Sequence, residues 1–142
     1  MNFVTAIKTC LGKYANFKGR ALRSEFWYFI LFAVVISGVL QAVSGLLYFV
    51  FSLAMMLPQL AVSARRLHDI GKSGWWQLLV LGGAWAVAIF ELILIGAFVN
   101  LRLWAVLGCL GLIPFLALVV WYCRKGQGDN RFGPAPVPYT AN

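Results

Sequence analysis

The chain has 142 residues, 62% of them hydrophobic and 11% charged, with 12 Lys plus Arg against 4 Asp plus Glu and a formal net charge of +8. An ordinary soluble domain is about 45–50% apolar and about 25% charged. This composition therefore excludes a water-soluble globule, and with it a small nucleic-acid-binding domain, which needs a polar exterior as well as a basic stripe. An apolar chain with a basic balance points to an anionic membrane surface, and no nucleic-acid partner is expected.

Residues 1–25 lack the short apolar core and small-residue cleavage site of a secretory signal. On a helical wheel Phe3, Ile7, Cys10, Leu11, Tyr14 and Phe17 share a sector of about 120°, while Thr5, Lys8, Thr9, Gly12, Lys13 and Asn16 fall outside it. This predicts an amphipathic interfacial helix over about residues 2–18, lying along the headgroups and ended by Gly19.

From Phe26 to Ala64 run 39 residues without a charge. As one helix they would measure about 58 Å, close to two bilayer cores of about 30 Å. The weakest point is QAVSG, Gln41 to Gly45, whose residue types favour a reversal. Two spans are therefore predicted, over residues 26–41 and 46–64. A polar segment from Arg65 to Gly74 follows, then a third apolar run over residues 75–95, interrupted only by Glu91. Residues 96–102 turn the chain, and residues 103–123 form a fourth span before Arg124 and Lys125. The ten-residue alternation of a membrane β-barrel is absent. Pro58 and Pro114 are expected to bend the second and fourth spans. Residues 1–125 thus read as a single membrane domain, and residues 126–142, with Pro134, Pro136 and Pro138, as an extended, flexible C-terminal tail.

The cations test this map independently of hydropathy. Eleven of the twelve precede the first span, lie between the second and third, or follow the fourth; Arg102 is the exception. Positive charge is retained inside, so the expected fold is an all-α integral membrane protein with four transmembrane helices, an N-terminal interfacial helix and both termini cytoplasmic. Phe26, Trp27, Tyr28, Trp75, Trp76, Trp121 and Tyr122 fall at the inner interface of this scheme, and Tyr48 and Trp104 near the outer one.

Three polar stretches stand at the inner ends of the spans: GRALRSEFWYFILF (Gly19 to Phe32), LPQLAVSARRLHDIGKSGWW (Leu57 to Trp76) and GDNRFGPAP (Gly128 to Pro136). In order and spacing they resemble the domain-of-unknown-function family 805, small bacterial inner-membrane proteins. The family's recurrent residues match at Gly19, Arg20, Arg23, Glu25, Phe26, Trp27, Arg65, Arg66, His68, Asp69, Gly71, Lys72, Gly74, Trp75, Asp129, Asn130 and Gly133. The resemblance implies a four-helix protein of the bacterial cytoplasmic membrane and no activity.

In this topology all three stretches emerge on one side, so Arg20, Arg23, Glu25, Arg65, Arg66, His68, Asp69, Lys72, Asp129 and Asn130 form a polar cap. Its structural reading is that Glu25 and Asp69 pair with arginines to fix helix ends, the remaining cations orienting the chain. Its functional reading is an anion or lipid site made of Arg20, Arg23, Arg65, Arg66 and Lys72, because guanidinium groups grip phosphate bidentately. A membrane-bound enzyme using His68 and Asp69 is an alternative. One histidine without companion ligands gives no metal site, and no cofactor is expected. Gly71, Lys72 and Ser73 do not make a phosphate-binding loop, which needs a glycine where Arg66 stands. Glu91 is expected to pair with Arg102 on the outer side. Cys10, Cys109 and Cys123 form no C-x-x-C pair and no structural disulfide is expected. The expected role is a non-enzymatic membrane component binding anionic lipid or a partner protein. The other alternative is a subunit of a small transporter or channel, which would require a homo-oligomer or a membrane-protein partner, since four spans with few polar groups enclose no aqueous path.

Overall fold

The computed structural model describes residues 1–78, 112–113 and 115–136. Three helices run along residues 1–74: α1 (Phe3–Gly12), α2 (Arg23–Val43) and α3 (Gly45–Asp69). The chain forms two compact units, Met1–Gly74 with Lys125–Asn142, and Trp75–Arg124.

In the first unit, α1 starts at Asn2, whose side chain accepts a hydrogen bond from the Thr5 amide at 2.8 Å and so serves one of the orphan donors of the first turn. It ends sooner than the apolar pattern suggests, at Gly12 rather than Gly19. Gly12 is a poor helix former, and Asn16 offers its side chain to the Lys18 amide at 3.0 Å, a local alternative to continued helix. Ala6 and Cys10 are fully buried on α1, whereas Phe3, Leu11, Tyr14 and Phe17 stay exposed. The Phe3 ring meets Tyr28 of α2 edge to face at 5.9 Å.

The helices α2 and α3 form a hairpin. At about 1.5 Å per residue their 21 and 25 residues are long enough for a core of about 30 Å. Both are also apolar enough to cross one, with mean hydropathies of 2.1 and 1.8 over their most apolar stretches. The reversal expected within Gln41–Gly45 falls at Ser44, a single extended residue between the two helices. Phe29 is fully buried, and Phe32 meets Phe51 across the hairpin at 6.5 Å. Leu31, Val35, Val39 and Val43 on α2, and Leu46, Phe49, Val50 and Leu53 on α3, are exposed, as suits lipid-facing surface.

At its polar end α3 closes with a Schellman motif. The Gly71 amide donates to the His68 carbonyl at 3.0 Å and the Lys72 amide to the Leu67 carbonyl at 2.9 Å. Gly71 takes φ +74°, a left-handed conformation that costs glycine nothing. The Gly71, Lys72, Ser73 triplet is accordingly a helix terminator.

In the second unit, residues 75–78, 112–113 and 115–123 are helical. Trp76 meets Trp121 edge to face at 5.5 Å, and Leu118 and Tyr122 are buried. Glu91, Arg102, Trp104, Cys109 and Pro114, and most of the third and fourth expected spans, lie outside the described residues.

Pro58 is buried within α3. It carries no N–H, so the Ala54 carbonyl four residues earlier lacks its regular helical donor. The Tyr14 hydroxyl donates to that carbonyl. Tyr14→Phe should therefore destabilise the protein by about 1 kcal/mol but have little effect in a Pro58→Ala background, where the helix regains its own donor. Thermal unfolding of the two single variants and the double variant in detergent measures this, and an equal loss in both backgrounds would refute the assignment.

Candidate functional site

The polar end of the α2–α3 hairpin holds five buried charged side chains: Arg20, Glu25, Arg65, Arg66 and Asp69. Burying a charge is costly unless it is paired and hydrogen-bonded. The pairing here is extensive. Asp69, the last residue of α3, receives Arg20 on one carboxylate oxygen at 2.8 Å and Arg66, three residues back along the helix, on the other. Glu25, in the first turn of α2, receives Arg65 at 2.7 Å. A carboxylate at a helix N-terminus and cations near a helix C-terminus also suit the helix dipoles. The Ala21 amide donates to the Arg65 carbonyl at 3.0 Å, joining the segment before α2 to α3.

Arg20 is the hub. Its Nε and Nη2 both reach Asp69 Oδ1, at 3.0 and 2.8 Å. Its Nη1 donates to the Gly128 and Gly133 carbonyls at 2.8 and 3.1 Å, and its Nη2 to the Gln127 carbonyl. Residues 126–136, expected as part of a free tail, are thus hydrogen-bonded into the cluster. The Gln127 amide donates to the Asp69 carbonyl at 3.0 Å, and Asn130 and Gly133 pair through their backbones. Gly126 passes so close to Asp69 that a Cβ there would overlap the carboxylate.

His68 is held from three directions. Its Nδ1 lies 3.1 Å from the Gly19 carbonyl, its ring stacks on Phe132 at 4.0 Å and 7°, and its own carbonyl accepts from Asn130 Nδ2 at 3.0 Å. The Arg131 guanidinium lies 4.7 Å from the Phe132 ring centroid, a cation–π distance. Asp129 Oδ1 accepts from the Ala135 amide at 2.8 Å, which shapes the returning segment.

Of the residues singled out from sequence, Arg20, Glu25, Arg65, Arg66, His68, Asp69 and Asn130 are brought together. Arg65 and Arg66 face carboxylates in the interior instead of opening onto the surface with Lys72, which is half-buried beyond the end of α3. Arg23 is exposed at the start of α2. The Glu91 and Arg102 pairing lies outside the described residues. Sequence reasoning missed Cys10, Gln127 and Phe132 as members of the cluster. The turn-forming GDNRFG run was the available sign that the chain after residue 126 has a defined conformation.

Cys10 brings α1 into the cluster, its Sγ lying 3.7 Å from Glu25 Oε1. Burial, aided by the neighbouring Glu25 carboxylate, pushes the thiol up to about 12. The neutral thiol therefore persists well above neutral pH. Maleimide at pH 8 should modify the exposed Cys123 and spare Cys10 until the protein is unfolded, as peptide mapping would read; equal labelling of both in the folded protein would contradict the buried thiol.

Arg20→Lys keeps the charge but cannot serve Asp69 and three carbonyls from one planar fork. Losing such a buried partner costs about 3–5 kcal/mol, and detergent melting should show a loss of that order. Arg23→Lys, at an exposed position, should change stability little. Similar melting of the two variants would remove Arg20 from its central place.

The family profile described as "Protein of unknown function (DUF805)" matches residues 14–134. The chain is 31% identical to the inner membrane protein YhaH of Escherichia coli K12, over 89% of this chain and 91% of that protein. It is 34% identical to the inner membrane protein YhaI of the same strain, over 89% of this chain and 90% of that protein. It is also 31% identical to that strain's uncharacterized protein YiiR, over 83% and 84% of the two chains. No solved structure matches.

Proposed function

The chain belongs to the DUF805 family of proteins of unknown function, and from that premise we propose that it is a four-span protein of the inner membrane with both termini cytoplasmic, non-enzymatic, and occupied with anionic lipid at its basic face. That it is an integral membrane protein rests on α2 and α3, on the composition and on the inner-membrane relatives.

The topology is supported by the hydrogen bonds of Arg20. They join the segment before α2, the end of α3 and residues 127–133, which supports their sharing one side of the membrane. A chain that leaves that side after Gly74 and is back on it at Lys125 crosses an even number of times. Two crossings match the apolar runs 75–95 and 103–123, and the partition of cations favours the cytoplasm as the shared side.

The lipid reading is carried by which cations the fold leaves facing outward. Arg20, Arg65 and Arg66 are buried against carboxylates, whereas Lys8, Lys13, Lys18, Arg23, Lys125 and Arg131 are exposed. Each basic residue close to an anionic surface contributes about 1 kcal/mol of attraction. The exposed apolar residues of α1 are suited to the headgroup boundary beside them. The His68 ring is positioned by the Gly19 carbonyl at Nδ1 and by stacking on Phe132, contacts that suit a structural role.

Replacing Lys8, Lys13, Lys18 and Arg23 by glutamine should lower the ratio of anionic to zwitterionic lipid retained on purification from mixed liposomes while leaving the protein folded. An unchanged ratio would end the lipid reading. Membrane-impermeant labelling of single cysteines at Ser73 and Gly128 should find both on the cytoplasmic side; labelling from opposite sides would overturn the topology.

A further inference from the structure

Arg20 and Arg65 use their guanidinium groups differently. On Arg20 the Nε and Nη2 edge, the one whose two N–H bonds run parallel, grips Asp69. On Arg65 Nη1 is engaged by Glu25 and the Cys10 thiol interacts with the same guanidinium, but among the described residues its Nε and Nη2 are buried without a hydrogen-bonded oxygen acceptor. The residue is 1% exposed. Buried donors of a charged group rarely go unserved, and a parallel N–H pair fits two oxygens on one phosphorus or one carboxyl carbon.

The charge of the surroundings selects the acceptor. The buried cluster holds Arg20, Arg65 and Arg66 against Glu25 and Asp69, a surplus of one positive charge. Arg65 follows directly on the uncharged stretch that ends at Ala64, which is headgroup depth for a span that begins at the opposite face.

We propose that the unserved edge of Arg65 is a buried seat for a single phosphate oxyanion held among α1, α2 and α3, apart from the exposed lysines that attract lipid in bulk. The oxyanion comes from a phospholipid headgroup or from free phosphate. Glu25 fixes the guanidinium from its far side and limits, by its negative charge, how tightly the anion is held.

The test uses full-length protein purified in mild detergent and phosphate-free buffer. Native mass spectrometry counts bound molecules, and phosphorus is assayed separately in organic and aqueous extracts. The wild type should carry one phosphorus-containing molecule per chain; recovery in the organic phase assigns it to lipid, and in the aqueous phase to free phosphate. Arg65→Lys retains the charge but lacks the edge, and should lower occupancy at least about tenfold with unchanged helical circular dichroism. Glu25→Gln removes the opposing charge and should hold the molecule as well or better, which keeps the test open should Arg65→Lys fail to fold. Glutamine at Lys8, Lys13 and Lys18 should leave this molecule in place, so failure of the bulk-lipid reading is separable from failure of the seat. A wild type without stoichiometric phosphorus, equal occupancy in folded Arg65→Lys, or loss of the molecule in Glu25→Gln would each overturn the proposal.

Discussion

A single guanidinium organises the first unit. Arg20 meets Asp69 across 49 positions of sequence and residues 127–133 across more than a hundred. Because neither Arg20 nor Asp69 retains appreciable contact with solvent, the pair has already lost its hydration, and only complete replacement by protein partners makes that tolerable. The carbonyls of Gln127, Gly128 and Gly133 supply the replacement for Arg20, and Arg66 completes the shell of Asp69. The ion pair and the return of residues 127–133 are therefore one feature: without those carbonyls, Nη1 of the guanidinium would lose both of its acceptors.

Such a cluster has particular value in a membrane protein. Lipid is as apolar as the side chains of α2 and α3, so hydrophobic burial does little to hold two spans together in the bilayer. The small residues Ala33 and Ala61 are buried on the two helices, and aromatic contacts such as Phe32 with Phe51 give local packing. The polar end adds directional bonds, Ala21 to Arg65 and Glu25 to Arg65, that fix the register of the hairpin. Tyr14 works by the same logic further along α3, where Pro58 frees a carbonyl that lipid could not serve.

The parts of this fold set by hydropathy were legible in the sequence. The hairpin follows from 39 uncharged residues broken at a Ser-Gly pair, and the reversal at Ser44 lies where those residue types suggest. The parts set by side-chain partnership were legible only as a list of participants. Positive charge at a span end has the same pattern whether it faces lipid headgroups or a buried carboxylate, so Arg65 and Arg66 read equally well as an exposed anion site. The end of α1 depended on a competition between its apolar face and Gly12 with Asn16, and local chemistry prevailed. Residues 126–136 read as a tail because prolines and glycines dominate them. Their order comes from acceptors on the backbone, which leave no trace in composition.

The division of cations between interior and surface follows from the chemistry of the two side chains. All the fully enclosed cations of the first unit are arginines, whereas Lys8, Lys13, Lys18 and Lys125 face outward. A guanidinium presents five donors in a fixed plane and is weakly hydrated, so it can be enclosed if its acceptors are placed correctly; an ammonium keeps its water. Of the polar residues on which the resemblance was read, Arg20, Glu25, Arg65, Arg66 and Asp69 are enclosed by the fold, whereas Arg23 and Asp129 are exposed. The enclosed residues hold the polar ends of the helices, and say little about what the protein meets in the membrane. That information resides in the groups the architecture has not consumed: the exposed lysines, and the edge of Arg65 for which the described residues provide no oxygen acceptor.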